Sequence, residues 1–308
     1  MKHNLIITGI SGFVGQNLEN YLNKQYVLDG VSRSKIDNNL SYKDLSKELL
    51  SSYNTFIHLA GKAHDLKNTS EEKEYFEVNT ELTKTLFDNF LNSDCEVFIY
   101  MSSVKATADE VEGILDENHK SNPVTAYGKS KLAAEQYILS KEIPENKRVY
   151  ILRPCMIHGP NNKGNLNLLY NFVSKGIPYP LGKYENKRSF LAVENLCFVI
   201  KELVENKDIQ SGVYNVADDE SLSTNELVKT IGVGVNKNVR IFNTPKVFIN
   251  MLAKLGDILS FPINSERVQK LTEDYVVSNK KIKSALGINE FPLSTREGII
   301  KTIKSFTE

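Results

Sequence analysis

The stretch Leu5-Ile6-Ile7-Thr8-Gly9-Ile10-Ser11-Gly12-Phe13-Val14-Gly15 constrains the fold more than any other part of this chain. It opens with an apolar run of strand type and then turns through glycines at every third residue. Val14, Leu18 and Leu22 follow on one face of a helix. Strand, glycine turn and helix in that order make a phosphate cradle. Gly9 permits the tight turn, Gly12 lets the backbone approach a pyrophosphate, and Gly15 lets the helix pack closely on the strand. The helix N-terminus adds free N–H groups and a partial positive charge. The spacing is G-x-x-G-x-x-G rather than G-x-G-x-x-G, and without the preceding strand it would read as an ordinary surface turn.

The 308 residues leave room for two lobes and a sizeable core. Lys plus Arg and Asp plus Glu balance at 38 each. That balance argues against nucleic-acid binding and still allows a local cluster to hold a small polyanion. Cys95, Cys155 and Cys197 are isolated from one another in sequence. Neither a metal site nor a disulfide framework is expected, and buried thiols in a reducing cytoplasm are the plain reading. No apolar run approaches the ~18 residues of a membrane span. The chain reaches its first strand at once, so no signal peptide is expected either.

Further strands are expected at about 26–31, 55–60, 96–101 and 148–152, with helices at about 47–52, 70–92 and 125–141. Their alternation predicts βαβ units and a parallel sheet. Thr69 and Glu72 form a capping box for the 70–92 helix, in which Val78, Leu82, Leu86 and Phe90 recur at i+4 and Asn79 interrupts the apolar side. His58 reads as a core histidine. Beyond Pro154 the alternation weakens. A loop at 158–165, helices near 165–175 and 191–205, and strands at Gly212–Val216 and Val239–Phe242 are expected. Ser223 with Glu226 and Ser294 with Glu297 cap later helices, and Gly287 ends another. Pro245–Leu259 is amphipathic, with Phe248, Met251, Leu252, Leu255 and Leu259. Packing against the second lobe is expected for it, because Lys246, Lys254 and Asp257 give only a thin basic face for a membrane surface. The expected fold class is α/β: a doubly wound parallel Rossmann sheet over residues 1–154, with 186–218 returning to it. A smaller mixed C-terminal lobe for substrate takes most of 155–308.

The chemistry centres on Ala126-Tyr127-Gly128-Lys129-Ser130-Lys131. Tyr127 and Lys131 are one helical turn apart and project from the same face. Ser103 ends the 96–101 strand, at the edge where open parallel sheets carry their ligands. A tyrosine, with a pKa near ~10, is a poor base at neutral pH. An ammonium ~4 Å away at an effective dielectric of ~20 supplies ~4 kcal/mol, or ~3 pKa units. Lys131 is thus expected to bring Tyr127 into the range for general acid–base work, with Ser103 holding the reacting oxygen. An ordinary amphipathic helix is the alternative for Tyr127 and Lys131 taken alone.

At these residues the chain resembles the extended short-chain dehydrogenases/reductases of the nucleotide-sugar branch, the NAD-dependent epimerase/dehydratase family. The resemblance rests on T-G-x-x-G-x-x-G at 8–15, Asp44-Leu45, His58-Leu59-Ala60-Gly61, Val78-Asn79, Ser102-Ser103, Tyr127 with Lys131, and Arg153-Pro154. It implies that Phe13 and Val14 offer N–H groups to a pyrophosphate and that Asp44 and Leu45 flank the adenine. Leu59, Ala60 and Gly61 would line the cofactor ribose, Lys131 would bond the nicotinamide ribose, and Pro154 would lie on the cofactor side. Asn79 would be structural or part of a proton relay. A homodimer through the 70–92 and 125–141 helices is implied as well, using Leu82, Leu86, Leu132 and Ile138.

Smaller features resemble the bacterial reductases of UDP-4-keto-6-deoxy-N-acetylhexosamines: Met101-Ser102-Ser103-Val104-Lys105, Gly159–Asn165, and Pro180-Leu181-Gly182 leading to Lys187-Arg188-Ser189. They imply a UDP-linked sugar held by Ser103, Lys105, Lys163, Asn165 and Arg188, in the cytoplasmic synthesis of surface-polysaccharide precursors. Lys163, Lys187 and Arg188 carry the charge a diphosphate needs, a solvated basic loop being the alternative. Met156 stands where UDP-glucose 4-epimerases usually carry asparagine, and His158-Gly159-Pro160 replaces their usual Tyr-Gly-Pro. Val104-Lys105 supplies no acidic pair of the dehydratase kind.

The cofactor expectation comes from Ser32-Arg33-Ser34. An acid at the end of the second strand would bond both ribose hydroxyls and repel a 2′-phosphate, whereas Arg33 can fork onto one. NADP(H) is therefore expected ahead of NAD(H). The leading reading is NADPH-dependent reduction of a 4-keto nucleotide sugar. An NAD-dependent 4-epimerase using the same three residues is the alternative, and a catalytically silent NAD(P)-binding regulator is a third.

Overall fold

A computed structural model describes residues 3–33, 40–62, 71–162, 166–259 and 264–306. The first half runs β1 (Asn4–Thr8), α1 (Phe13–Leu22), β2 (Val27–Ser32), β3 (Leu40–Ser41), α2 (Lys47–Leu50), β4 (Thr55–His58), α3 (Glu72–Phe76), α4 (Leu82–Leu91), β5 (Val97–Met101), β6 (Ile114–Leu115), α5 (Ala126–Leu139) and β7 (Arg148–Pro154). The second half runs β8 (Met156–His158), α6 (Leu166–Ser174), β9 (Phe190–Ala192), α7 (Val193–Glu205), β10 (Gly212–Val216), α8 (Thr224–Gly234), α9 (Lys246–Leu259), α10 (Ser265–Thr272), β11 (Val276–Val277), α11 (Lys280–Leu286) and α12 (Thr295–Lys304).

Seven strands form one sheet in the order β10-β7-β5-β4-β1-β2-β3, parallel throughout. The chain works outward from β1 to one side and then from β4 to the other. The order thus reverses between β1 and β4, and the crevice beyond their C-terminal ends is where such sheets take ligands. Strand alternation builds the two flanking layers. Leu5, Ile7, Ile57, Ile99, Tyr150 and Leu152 pack on one face with Leu18 and Leu22 of α1 and Leu196, Ile200 and Leu203 of α7. Ile6, Phe56, Phe98, Tyr100, Val149 and Ile151 pack on the other with Leu86, Phe87 and Phe90 of α4 and Ala134 and Ile138 of α5. A third cluster joins Leu166, Leu181, Phe190, Leu227, Ile231, Ile249, Ile299 and Ile303 in the C-terminal part. This is the α/β fold with a parallel Rossmann-type sheet expected from the sequence.

Several local expectations change. The 70–92 helix is broken by a π-helical turn at Glu77–Glu81, and its N-cap is Glu71, while Thr69 lies outside the described residues. Val239–Phe242 is not a strand: single bridges Tyr179–Ile241 and Leu181–Asn243 take its place. The short pairs β8 with β9 and β6 with β11 were not expected; the second ties the loop after β5 to the C-terminal part. The amphipathic 245–259 segment is helical from Lys246, and among its described side chains Ile249, Ala253 and Gly256 are buried while Val247, Phe248, Met251, Leu252 and Leu255 are exposed. No helix among the described residues is long and apolar enough to cross a membrane.

Candidate active site

The glycine turn stands at the reversal point. Gly9 has φ +73°, the left-handed region, and a Cβ there would meet the Ala60 nitrogen at 2.9 Å. A Cβ on Gly15 would meet the Gly9 carbonyl oxygen at 2.4 Å, so α1 can enter this close to β1 only with glycine at that position. No side chain caps α1 at Gly12, which leaves its first-turn N–H groups, including those of Phe13 and Val14, directed to the crevice end. Leu59, Ala60 and Gly61 follow β4 directly: Leu59 N–H donates to the Thr8 carbonyl at 3.2 Å and Ala60 N–H to Thr8 Oγ1 at 3.2 Å. His58 is buried as expected, between Thr8 Oγ1 (2.7 Å) and Thr83 Oγ1 (2.9 Å). Burial and the nearby Lys131 charge hold it neutral, its pKa pushed down to about 3. This tight, uncapped turn fits the diphosphate of a dinucleotide.

At the end of β2, Ser32 is buried and Arg33 exposed, and the Arg33 charge acts on the Tyr42 hydroxyl. Ser34 lies outside the described residues. Asp44 bonds back to Ser41 N–H at 2.8 Å in a capping box, and Leu45 beside it is buried. Asn89 Nδ2 fixes the Leu45 carbonyl at 2.7 Å.

The structure brings Ser103, Tyr127 and Lys131 to the C-terminal edge of the same sheet. Thr125 caps α5 by accepting Gly128 N–H at 3.2 Å, which sets Tyr127 in the first turn. Tyr127 is hydrogen-bonded to Ser103, and Tyr75 meets its ring edge-on with centroids 6.3 Å apart. The electrostatics differ from the expectation. Desolvation raises the Tyr127 hydroxyl above its ordinary range, the Ser103 bond lowers it in part, and Tyr75 raises it further. The ammonium of Lys131 is buried, donates to the Met101 carbonyl at 2.8 Å and lies 4.9 Å from the centre of the Tyr100 ring. Burial lowers its pKa to about 8, against the pull of Glu135.

Sequence reasoning missed two neighbours. Glu135, one turn beyond Lys131, is fully buried and accepts Arg153 Nε at 2.9 Å and a bond from Ser102 Oγ. The i+4 spacing from Lys131 was its only signal. Tyr75 precedes Asn79 by the same spacing. Asn79 itself is turned inward by the π turn, which shifts the helical phase by one residue. It accepts Lys62 N–H at 2.7 Å and donates to the Lys62 carbonyl at 3.1 Å and to Ser130 Oγ at 3.0 Å. A Cβ on Gly61 would lie 3.0 Å from both Asn79 Oδ1 and Lys131 Nζ. The loop after β4 is thereby locked to α5.

On the other side of Ser103, Lys105 Nζ donates to the Asp109 carbonyl at 2.6 Å and lies 4.3 Å from the centre of the Tyr275 ring. Arg188 lies in the same cluster, its Nη1 donating to the Lys270 carbonyl and, at 3.4 Å, to Glu273. Lys163 and Asn165 lie outside the described residues. Pro154 ends β7 opposite Val216 of β10.

Comparison with known proteins agrees with this geometry. A UDP-glucose 4-epimerase of Vibrio cholerae is 29% identical over 100% of this chain and 97% of its own length. An N-acetyl-alpha-D-glucosaminyl-diphospho-ditrans,octacis-undecaprenol 4-epimerase of Escherichia coli O157:H7 is 25% identical over 99% and 95%. A GDP-6-deoxy-D-mannose reductase of Pseudomonas aeruginosa is 25% identical over 80% and 84%. Among solved structures, MoeE5 in complex with UDP-glucuronic acid and NAD superposes with a TM-score of 0.75 at 20% identity, over 99% of each chain. RMD from Pseudomonas aeruginosa complexed with NADPH gives 0.71 at 21%, over 99% and 98%. The model of the NAD dependent epimerase/dehydratase family matches residues 5–217, from β1 through β10 and the whole of the sheet, and the chain belongs to that family.

Proposed function

We propose that this enzyme reduces a 4-keto nucleotide sugar of the UDP-4-keto-6-deoxy-N-acetylhexosamine type with NADPH, in the supply of precursors for surface polysaccharide. The observation that carries this reading is the placement of Tyr127 in the Thr125-capped first turn of α5, bonded to Ser103 at the C-terminal edge of the sheet and with Lys131 one turn on. A protonated tyrosine is ready to give a proton, which is what ketone reduction asks of it. When bound, the nicotinamide group supplies the hydride. Ser103 holds the C4 oxygen, and Tyr127 passes its proton to that oxygen as negative charge develops on it. Lys131 would hold the nicotinamide ribose, and Gly9, Gly12, Phe13, Val14 and Gly15 the pyrophosphate. Asp44, Leu45, Leu59, Ala60, Gly61 and Pro154 would line the remaining cofactor side, with Asn79 bracing the loop after β4. Ser32 and Arg33 support NADP(H), since a guanidinium favours the 2′-phosphate that an acid would repel. Lys105 and Arg188, with Lys163 and Asn165, would receive the UDP moiety.

The second reading is a 4-epimerase that retains NAD, and the two relatives covering nearly the whole chain favour it. One experiment separates the two. The purified enzyme is mixed with NADPH and a UDP-4-keto sugar, and nicotinamide absorbance is followed. Stoichiometric loss of NADPH is expected, with Tyr127→Phe slowed by ~10²–10⁴ at intact fold. Arg33→Ala should raise the Michaelis constant for NADPH roughly 10-fold or more. Interconversion of C4 epimers with no net NADPH loss would replace this reading by the epimerase.

A further inference from the structure

Helix α5 is fastened to the end of β5 at three successive turns, and the third fastening is a charge. Tyr127 bonds to Ser103, Lys131 Nζ donates to the Met101 carbonyl at 2.8 Å, and Glu135 accepts a bond from Ser102 Oγ. The three helix residues are four apart on one face, and the three residues that meet them are consecutive. Glu135 is fully buried, and Arg153 of β7 bonds both of its carboxylate oxygens, through Nε at 2.9 and 3.1 Å and Nη2 at 2.5 Å. Burying a carboxylate is costly even when it is paired, and an apolar side chain of similar size would fill the space without that cost. A reason for keeping the charge is found in what shares its face of the helix.

Lys131, one turn before Glu135, is buried as well, and Glu135 is the charge that pulls on it. The other titratable groups beside Lys131 are neutral. His58 of β4 is held unprotonated, and burial pushes the hydroxyls of Tyr100 of β5 and Tyr127 of α5 upward. Tyr75 of α3 meets the Tyr127 ring, and the π turn and α4 bring the uncharged Asn79, Thr80 and Thr83 to the interior. The charged groups on the elements packed against α5 are engaged elsewhere. Glu74 pairs with Lys62, Glu77 with Lys73, Glu81 with Lys84 and Asp88 with Lys141, while Lys105 donates to the Asp109 carbonyl. Glu72 and Lys129 are exposed. Among the described residues, the Glu135 carboxylate is thus the buried negative charge at hand for Lys131, and the bonds from Ser102 and Arg153 fix where it stands.

We propose that Glu135 is a positioning residue for Lys131: its carboxylate is the counter-charge that keeps the ammonium in place and charged inside the crevice, while Ser102 and Arg153 hold that carboxylate still. This role rests on the placement of Lys131 in the reaction site, and the test below reads Lys131 directly as well as through turnover, so that the role and the reductase reading can fail separately.

The full chain is isotope-labelled at lysine Cε, and the Lys131 signal, identified by its loss in Lys131→Met, is titrated by NMR. A midpoint of about 8 is expected in the wild type. Glu135→Gln keeps the size of the side chain and removes its charge. The midpoint should then fall by roughly one unit or more, since a charge ~5–6 Å away at an effective dielectric of ~20 is worth about two units. Glu135→Asp keeps the charge and should stay within about half a unit of the wild type. Removing one partner of a buried pair can cost the fold, so Glu135→Gln is also made together with Arg153→Gln, which leaves no charge unmatched. Its midpoint should lie below that of the wild type too. The alkaline limb of kcat/KM for NADPH consumption should move with the midpoint. A midpoint that stays near 8 or rises in the folded variants overturns the role, because removing a merely structural glutamate admits water and returns Lys131 toward the ordinary lysine range. So does a limb that stays in place while the midpoint falls. A falling midpoint in an enzyme that reduces no ketone supports the counter-charge and removes the reductase reading instead.

Discussion

Lys131 sits where an ammonium is costly, and the protein compensates with a carbonyl, an aromatic face and a carboxylate. The Met101 carbonyl, the Tyr100 ring and Glu135 supply these in turn. Its pKa of about 8 means the charge is lost as pH rises just past neutrality. If that charge serves turnover, kcat/KM for ketone reduction should fall as pH rises through about 8, and this limb should be missing from the slower Lys131→Met variant. A profile flat to pH ~9.5 in the wild type would contradict it. Tyr127 contributes no limb there, because its own shift is upward. The juxtaposition of Ser103, Tyr127 and Lys131 was legible from spacing and strand order. The direction of the Tyr127 shift was not, because sequence places two residues on one face without saying which hydrogen bonds occupy each. Glu135 escaped for a related reason: a lone acid on a helix reads as solvated until its Arg153 partner, from a distant strand, is seen beside it.

At the scale of elements, β5 is buried at every position, and its packing centres on Phe98. The Phe98 ring lies 5.3 Å from that of Phe56, 5.0 Å from Phe87 and 5.2 Å from Phe90, joining two strands and α4. Phe98→Ala should lower the free energy of unfolding by ~3–5 kcal/mol, through lost transfer energy and an unfilled cavity, as read from denaturant titration. Strands of this kind were legible because a doubly covered parallel strand is a continuous apolar run. The π turn was less so: Asn79 stood out as a polar residue on an apolar side, but the local widening that explains it leaves no periodic signal. β8 with β9 and β6 with β11 are too short for alternation to register. In α9 the apolar pattern was read correctly as helical, while its burial could not be, since periodicity does not distinguish a face turned to the core from one turned outward.

For the whole molecule, a homodimer remains our expectation. Leu86 and Ile138 are core residues in the structure, so a helical interface would rest on Leu82 and Leu132, both half-buried, and on exposed Leu139. Sedimentation equilibrium at micromolar concentration should give twice the chain mass, and Leu132→Glu should shift it toward the monomer. A single species of one-chain mass in the wild type would contradict this. The return of β10 to β7 has a different consequence, one of timing. Every pairing in the sheet is parallel, so no two neighbouring strands are joined by a hairpin and each must wait for its crossover. The last wait is the longest: β8, α6, β9 and α7 intervene before Val216 pairs opposite Pro154. On a ribosome, β7 therefore leaves the exit tunnel with a row of unmatched peptide groups and keeps it until β10 has been translated. A chain stopped after residue 154 would keep the crevice between β1 and β4 but expose β7 as an open edge prone to pairing with other chains.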